Sequence, residues 1–170
     1  MTVIDIVLLI MLGGFTLAGL WFGVIHMIGS LIGLVIAVIV SGKLYAYVAL
    51  VVAPIVGGNI NVAKVLAFFG MFLIITRGIG LLVHLLEKAF KFAAIIPFLK
   101  TFEKLLGAAL GLLEGTLFLG LLVYFTARFP ISATFEDMLV ESWMARGLNV
   151  VGSALAPLLP DAVQALRSVL

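Results

Sequence analysis

The residues best placed to do chemistry in this chain are ionisable groups inside apolar stretches. Glu114 is the only ionisable residue in 105–125, "LLGAALGLLEGTLFLGLLVYF", a run long enough to cross a bilayer as one helix. Arg77 and His84 lie in a second apolar run, on one stripe of the helix that it predicts. Because charges are costly in hydrocarbon, such residues indicate either a structural ion pair or a path for ions or protons.

Arg77 and Glu114 are predicted to meet. If residues 87–104 join two antiparallel helices on one side of the membrane, both residues lie about 12–14 Å from that side. A guanidinium and a carboxylate at matched depth on neighbouring helices should pair, since either charge alone is costly. Three interpretations stay open: a structural pair that fixes helix register, a role in ion or proton movement, and no contact.

Three further polar residues have structural interpretations beside their functional ones. His84 is interpreted as a hydrogen-bonding group near the interface, and Asp5 as the cap of the first helix. His26 is the strongest polar group at the first break in the apolar sequence. Each remains a possible polar site.

The sequence gives no support for an enzyme. It has no cysteine, two histidines and scattered acids, so no metal-ligand spacing occurs. No nucleophile–base arrangement and no phosphate-binding glycine loop is visible, so we expect no catalytic residues, metal or cofactor. No Lys/Arg cluster is interleaved with aromatic residues, which argues against nucleic acid as a partner.

Composition places the chain in the lipid bilayer. Of 170 residues, 65% are hydrophobic and 11% charged, with a mean hydropathy of +1.38 and a net charge of +2. Soluble domains carry about a quarter charged residues, and a fold of this size leaves much of its surface exposed. An all-α, polytopic membrane protein is therefore predicted.

Four membrane-spanning helices are predicted, at about 4–21, 24–42, 64–86 and 105–127, within a domain of residues 1–130. The first two must separate near "GLWFGVIHM", since one helix through 3–40 would be too long. The first helix is expected to be retained, because no basic segment or cleavage site of a signal peptide accompanies it.

The remaining segments are predicted to lie at the membrane surface. Residues 44–58 either extend the second helix or form a re-entrant or interfacial turn. Residues 87–104 alternate charged and aromatic residues, which indicates an interfacial linker between the third and fourth helices. Residues 131–170 predict a tail of one or two amphipathic helices, broken by late prolines.

Glycines predict where the helices pack. Gly107, Gly111 and Gly115 form one stripe, and Glu114 lies about 20° from Gly107, so the carboxylate should face protein. Gly120 lies about 140° away and is predicted to be outside this packing stripe. The same spacing recurs in the first two helices, at Gly19, Gly23, Gly29 and Gly33.

Three motifs resemble a known family, the colicin V production (CvpA) membrane proteins of bacteria. "VIDIVLLIML" resembles the family's opening, and "GLWFGVIHMIGSLIG" its turn between the first two helices. "FEKLLGAALGLLEGTLF" resembles its leucine-glycine helix. Two features depart from the family: Trp21, Phe22 and His26 stand where basic residues are usual, and Glu114 stands where relatives are often basic.

The resemblance implies a small inner-membrane protein with about four helices, needed for colicin V production or export and tied to envelope integrity. It names a process and no reaction. Orientation follows from charge: Lys88, Lys91, Lys100 and Lys104 favour the cytoplasm, so both termini are predicted to be periplasmic. Lys43 and Lys64, on the opposite side, argue against this orientation.

Two functions from different classes remain. The first is a non-enzymatic protein that works in the bilayer as a homo-oligomer, or as a partner subunit of another membrane protein, through its glycine stripes. The second is a small ion- or proton-coupled channel or transporter that uses Arg77, Glu114 and His84.

Overall fold

The computed structural model describes residues 2–90, 99–129 and 133–158, and every regular element in these ranges is helical. The elements are α1 (Val3–Phe22), α2 (Val24–Val52), α3 (Ile60–Phe90), α4 (Leu99–Thr126), α5 (Ala133–Glu141), α6 (Trp143–Ser153) and a short 3-10 helix (Ala156–Leu158). Four of them, α1 to α4, are long and apolar enough to cross a membrane. The predicted all-α fold with four such helices is confirmed.

A single residue joins the first two helices. Gly23 ends α1 and begins α2 with φ of 81°, a left-handed backbone conformation that favours glycine. Its amide donates to the carbonyl of Gly19 at 3.0 Å, which closes the last turn of α1. The chain thus reverses without a loop.

Residues 44–58 divide into a helical part and a turn. The helix continues past residue 42 because residues 44–52 are apolar, and α2 ends at Val52. Residues 53–58 form turns, in which Gly57 and Gly58 have φ of 72° and 81°. Asn59 then caps α3: its side-chain oxygen accepts hydrogen bonds from the amides of Asn61 and Val62 at 3.1 and 3.2 Å.

The four long helices pack as two pairs. α1 lies along α4, and α2 lies along α3. The pairs are joined where α2 contacts α4, whereas α3 and α4 meet mainly through aromatic side chains at one end of the bundle. In the other half of the bundle a gap is left between α3 and α4.

An aromatic core fills the end of the bundle away from Gly23. Phe68 of α3 stacks on Phe125 of α4 at a ring distance of 4.2 Å, and Tyr45 of α2 meets Phe125 edge-on at 5.4 Å. All three side chains are buried. This cluster fixes α2, α3 and α4 to one another at that end.

The C-terminal segment packs on the bundle. Met144 and Leu148 of α6 are buried in a cluster with Leu119 and Val123 of α4. The last part of the predicted tail, 159–170, and the middle of the predicted linker, 91–98, lie outside the described residues. Residues 87–90 belong to α3, and 99–104 to α4.

Candidate functional site: a polar cavity within the bundle

A cavity of about 460 Å³ lies among the four long helices. It occupies the half of the bundle that contains the Gly23 turn, where α3 and α4 diverge. Aromatic and aliphatic side chains form most of its wall. The polar or ionisable residues that line it are His26, Ser30, Thr76, Arg77, His84 and Glu114.

Glu114 is hydrogen-bonded to a neighbouring helix. The hydroxyl of Ser30 in α2 donates to Glu114 Oε1 in α4, because α2 is the helix that joins the two pairs. His26, one turn before Ser30, also interacts electrostatically with Glu114. Glu114 therefore faces protein, and its nearest polar neighbours belong to α2.

The expected direct pair between Arg77 and Glu114 is absent from the described part of the structure. Arg77 lines the same cavity, but it lies on α3 and is exposed. α4 packs on α1 and α2, so Arg77 on α3 stays too far from Glu114 for a salt bridge. His84 lies further along α3, also exposed and also lining the cavity.

Asp5 lies outside the cavity and links two helix ends. It caps α1 together with Thr2, whose amide donates to Asp5 Oδ2 at 2.7 Å. Its other oxygen, Oδ1, accepts from the Ser142 hydroxyl at 2.5 Å and from the Met144 amide at 3.2 Å. The fully buried carboxylate therefore also anchors the start of α6.

The glycine stripe of α4 is covered by α1 of the same chain. A Cβ added to Gly107 would collide with the carbonyl of Gly19, and one on Gly111 with the carbonyl of Phe15. On Gly115 it would lie 2.7 Å from the Phe15 Cβ. The stripe therefore serves packing within the chain.

The other predicted glycines also lie at close contacts. A Cβ on Gly29 would lie 2.6 Å from a methyl of Val83, and one on Gly33 would lie 3.0 Å from a methyl of Ile79. These contacts join α2 to α3. At Gly23 an added Cβ would lie 3.2 Å from the carboxylate of Glu103.

Gly120 lies outside the Gly107 stripe, as predicted, but it is a packing glycine of a second surface of α4. An added Cβ would lie 2.8 Å from the carbonyl of Leu148 and 2.9 Å from the amide of Gly152. The helix wheel correctly separated Gly120 from the Gly107 stripe. It gave no sign that α6 would cover this second face of α4.

Ser30 and Thr76 are site residues that the sequence reasoning missed. The signal for Ser30 was its position between Gly29 and Gly33, since small residues mark helix contacts in membranes. Thr76 donates to the carbonyl of Phe72 at 2.8 Å, as threonines in helices commonly do, so its sequence context gave no signal.

The cavity offers charge and hydrogen bonding without a metal site. Within the described ranges, no group of three or more His, Asp or Glu residues could hold a metal ion. A carboxylate, two imidazoles and a guanidinium around one cavity can bind a charged group or exchange protons.

The comparison with protein families assigns the chain to a family. Neither the curated proteins nor the solved structures contain a match to this chain. Residues 4–153 match the model of a family described as Colicin V production protein, and this range includes α2 to α6, all of α1 except its first residue, and every polar residue of the cavity. The chain therefore belongs to the Colicin V production protein family.

Proposed function

We propose that this membrane protein supports colicin V production or export, or a related envelope function, as a non-enzymatic component of the bacterial inner membrane. Membership of the family supports the process. The four membrane-spanning helices support the location in a bilayer. Its working site, in this proposal, is the cavity among those helices.

The observation that carries the proposal is the Ser30–Glu114 hydrogen bond inside that cavity. An ionisable residue within a membrane span is by default a candidate functional site, and ion or proton pathways are among the functions that such residues serve. Glu114 has a hydroxyl donor and an imidazole nearby, which suits a group that gains and loses a proton. We therefore favour proton- or ion-coupled movement through the cavity, with Glu114 as the central group.

Flux measurements test this function. The purified protein is reconstituted in liposomes that contain a pH-sensitive dye, and a pH gradient or a potassium diffusion potential is imposed. We expect flux above that of empty liposomes, lost in Glu114→Gln. Glu141→Gln, which changes an exposed carboxylate at the end of α5, is the matched control and should keep the flux.

Two results would contradict the proposal. One is no flux under any gradient from protein that is folded by circular dichroism. The other is equal flux from the wild type and Glu114→Gln. In cells, Glu114→Gln should export less colicin V than the wild type, measured as the killing zone on a sensitive lawn.

A role as a homo-oligomer or as a partner subunit is the second candidate. It cannot use the glycine stripe of α4, because α1 covers that stripe. The observation that favours it is on α3, where Gly70 and Gly78 are exposed and an added Cβ would meet no atom within 4 Å.

Cross-linking distinguishes this second candidate. The chain has no cysteine, so single-cysteine variants can be oxidised in native membranes without background. We expect Gly78→Cys to form a dimer, and Val7→Cys on the exposed side of α1 to stay monomeric. Equal cross-linking at both positions would indicate random collision.

A further inference from the structure

The cavity opens sideways toward the lipid. Leu73 and Leu81 of α3 line it, yet they are 49% and 61% exposed. Both leucines lie within the membrane-spanning part of α3, Ile60–Leu85. Because α3 and α4 diverge in the half of the bundle that holds the cavity, a hydrocarbon chain in the bilayer can reach it through the gap between them.

The two walls of the gap carry opposite charges. Arg77 lies on α3 and Glu114 on α4, and in the described structure they form no ion pair. Glu114 Oε1 accepts from the Ser30 hydroxyl, and His26 interacts electrostatically with the same carboxylate. Arg77 and Glu114 carry opposite charges when both are ionised, so a ligand that contacts both walls is matched best by a headgroup that carries an anion and a cation.

Arg77 lies below the level of the lipid phosphates, and its long side chain shortens the distance to them. The span Ile60–Leu85 is 26 residues long, and at about 1.5 Å per residue it exceeds the hydrocarbon thickness of about 30 Å. Its end therefore reaches into the headgroup region. Arg77 lies about 12 Å before that end, and its long side chain can extend toward the phosphates.

We propose that the gap between α3 and α4 binds the headgroup of a zwitterionic phospholipid with a primary amine. The phosphate lies against Arg77, the ammonium donates to Glu114, and the acyl chains leave past Leu73 and Leu81. A primary ammonium has N–H donors for the carboxylate, whereas a trimethylammonium has none. An anionic headgroup without a cation offers no opposite charge to Glu114.

Lipid retention tests this inference. The protein is reconstituted with equal amounts of phosphatidylethanolamine, phosphatidylcholine and phosphatidylglycerol of matched chains, extracted in mild detergent and analysed by native mass spectrometry. We expect phosphatidylethanolamine to be retained in preference to the other two. Arg77→Gln and Glu114→Gln should each lose this preference, and Arg146→Gln, on the exposed side of α6, should keep it.

Several outcomes would overturn the inference. If phosphatidylcholine were retained as well as phosphatidylethanolamine, the site would not recognise an N–H donor. If phosphatidylglycerol were retained as well, the site would not recognise a cation. Retention of no lipid would also overturn the inference. These comparisons use the wild type, so they remain decisive even if a variant fails to fold.

The inference concerns the cavity of the proposed function but is tested apart from it. Selective lipid retention without flux would support the lipid site and contradict ion or proton movement. Flux without selective retention would support the proposed function and overturn the lipid site.

Discussion

Ser30 and Glu114 show how a carboxylate is accommodated in a membrane span. The hydroxyl supplies one donor to the carboxylate, and Glu114 faces a cavity that other polar side chains line. A hydroxyl costs little to bury when its own hydrogen bond is made. The contact therefore lets Glu114 remain in the bundle without an arginine in direct contact.

Replacement of this hydroxyl should lower stability. Ser30→Ala removes the donor to Glu114, and we expect a loss of about 1–2 kcal/mol in the free energy of unfolding. The measurement is equilibrium unfolding in detergent. Ser153→Ala, which removes an exposed hydroxyl bonded only within its own helix, should change stability by less than about 0.5 kcal/mol. If Ser30→Ala and Ser153→Ala lowered the free energy of unfolding equally, the Ser30–Glu114 hydrogen bond would not contribute to stability.

Asp5 should matter more than a simple helix cap. Asp5→Ala deprives the amide of Thr2, the hydroxyl of Ser142 and the amide of Met144 of their acceptor. We expect a loss of about 2–4 kcal/mol and faster proteolysis after residue 130, since α6 loses its anchor. Asp5→Asn should cost less, because the amide oxygen still accepts.

Asp137→Asn is the control for this comparison, because its side chain is exposed on α5. If the C-terminal segment of Asp5→Ala were proteolysed at the wild-type rate, Asp5 would cap α1 without anchoring α6.

For single residues, the sequence predicted which way a side chain faces better than it predicted which residue that side chain contacts. The stripe of Gly107 and Gly111 correctly implied that Glu114 faces protein, because helix periodicity is local. The choice of Arg77 as its partner assumed that α3 and α4 are neighbours. Which helices touch depends on packing between distant segments, and depth alone does not determine it.

Among the elements, α4 has two glycine surfaces with different neighbours. Gly107 and Gly111 meet α1, and Gly120 meets Gly152 of α6. In a bilayer such close approach supplies the van der Waals contact that holds helices together. α4 is therefore the central helix of the fold.

Alanine substitutions test both surfaces. Gly111→Ala and Gly120→Ala each place a methyl group against backbone, so we expect each to cost about 1–3 kcal/mol in thermal or denaturant unfolding. Gly78→Ala meets open space and should be neutral or stabilising by about 0.5–1 kcal/mol, since alanine favours helix. A neutral Gly120→Ala would mean that α6 is not held on α4 in solution.

Helix ends were less predictable than helix existence. Twenty apolar residues are enough for a crossing, so the prediction stopped the second helix at 42. The helix continues to Val52 because nothing in residues 43–52 breaks it. Asn59 is the stronger boundary signal, as a side chain that caps the next helix.

For the whole molecule, the helix order places the turns at 53–59 and the start of α5 at one end, opposite Gly23. We expect Asn59→Cys and Thr134→Cys to react with a membrane-impermeant maleimide in spheroplasts, and Lys104→Cys to react only after lysis. This follows from placing the lysine-rich segment 87–104 in the cytoplasm. Labelling of Asn59→Cys and Thr134→Cys from opposite sides would contradict the four-helix topology. Reversed labelling of all three would reverse the orientation.

The arrangement of helix pairs has a consequence for biogenesis. α1 and α2 are joined by Gly23 alone but pack on different partners, α4 and α3. During synthesis α2 and α3 can associate as soon as α3 has entered the membrane. The glycine face of α1 has no partner until the ribosome has produced α4. The α2–α3 pair, which is close in sequence, therefore forms early, and the α1–α4 pair, which is distant in sequence, forms late. A chaperone or insertase that shields an unpaired helix would thus meet α1 first, during the interval in which residues 24–98 are being made.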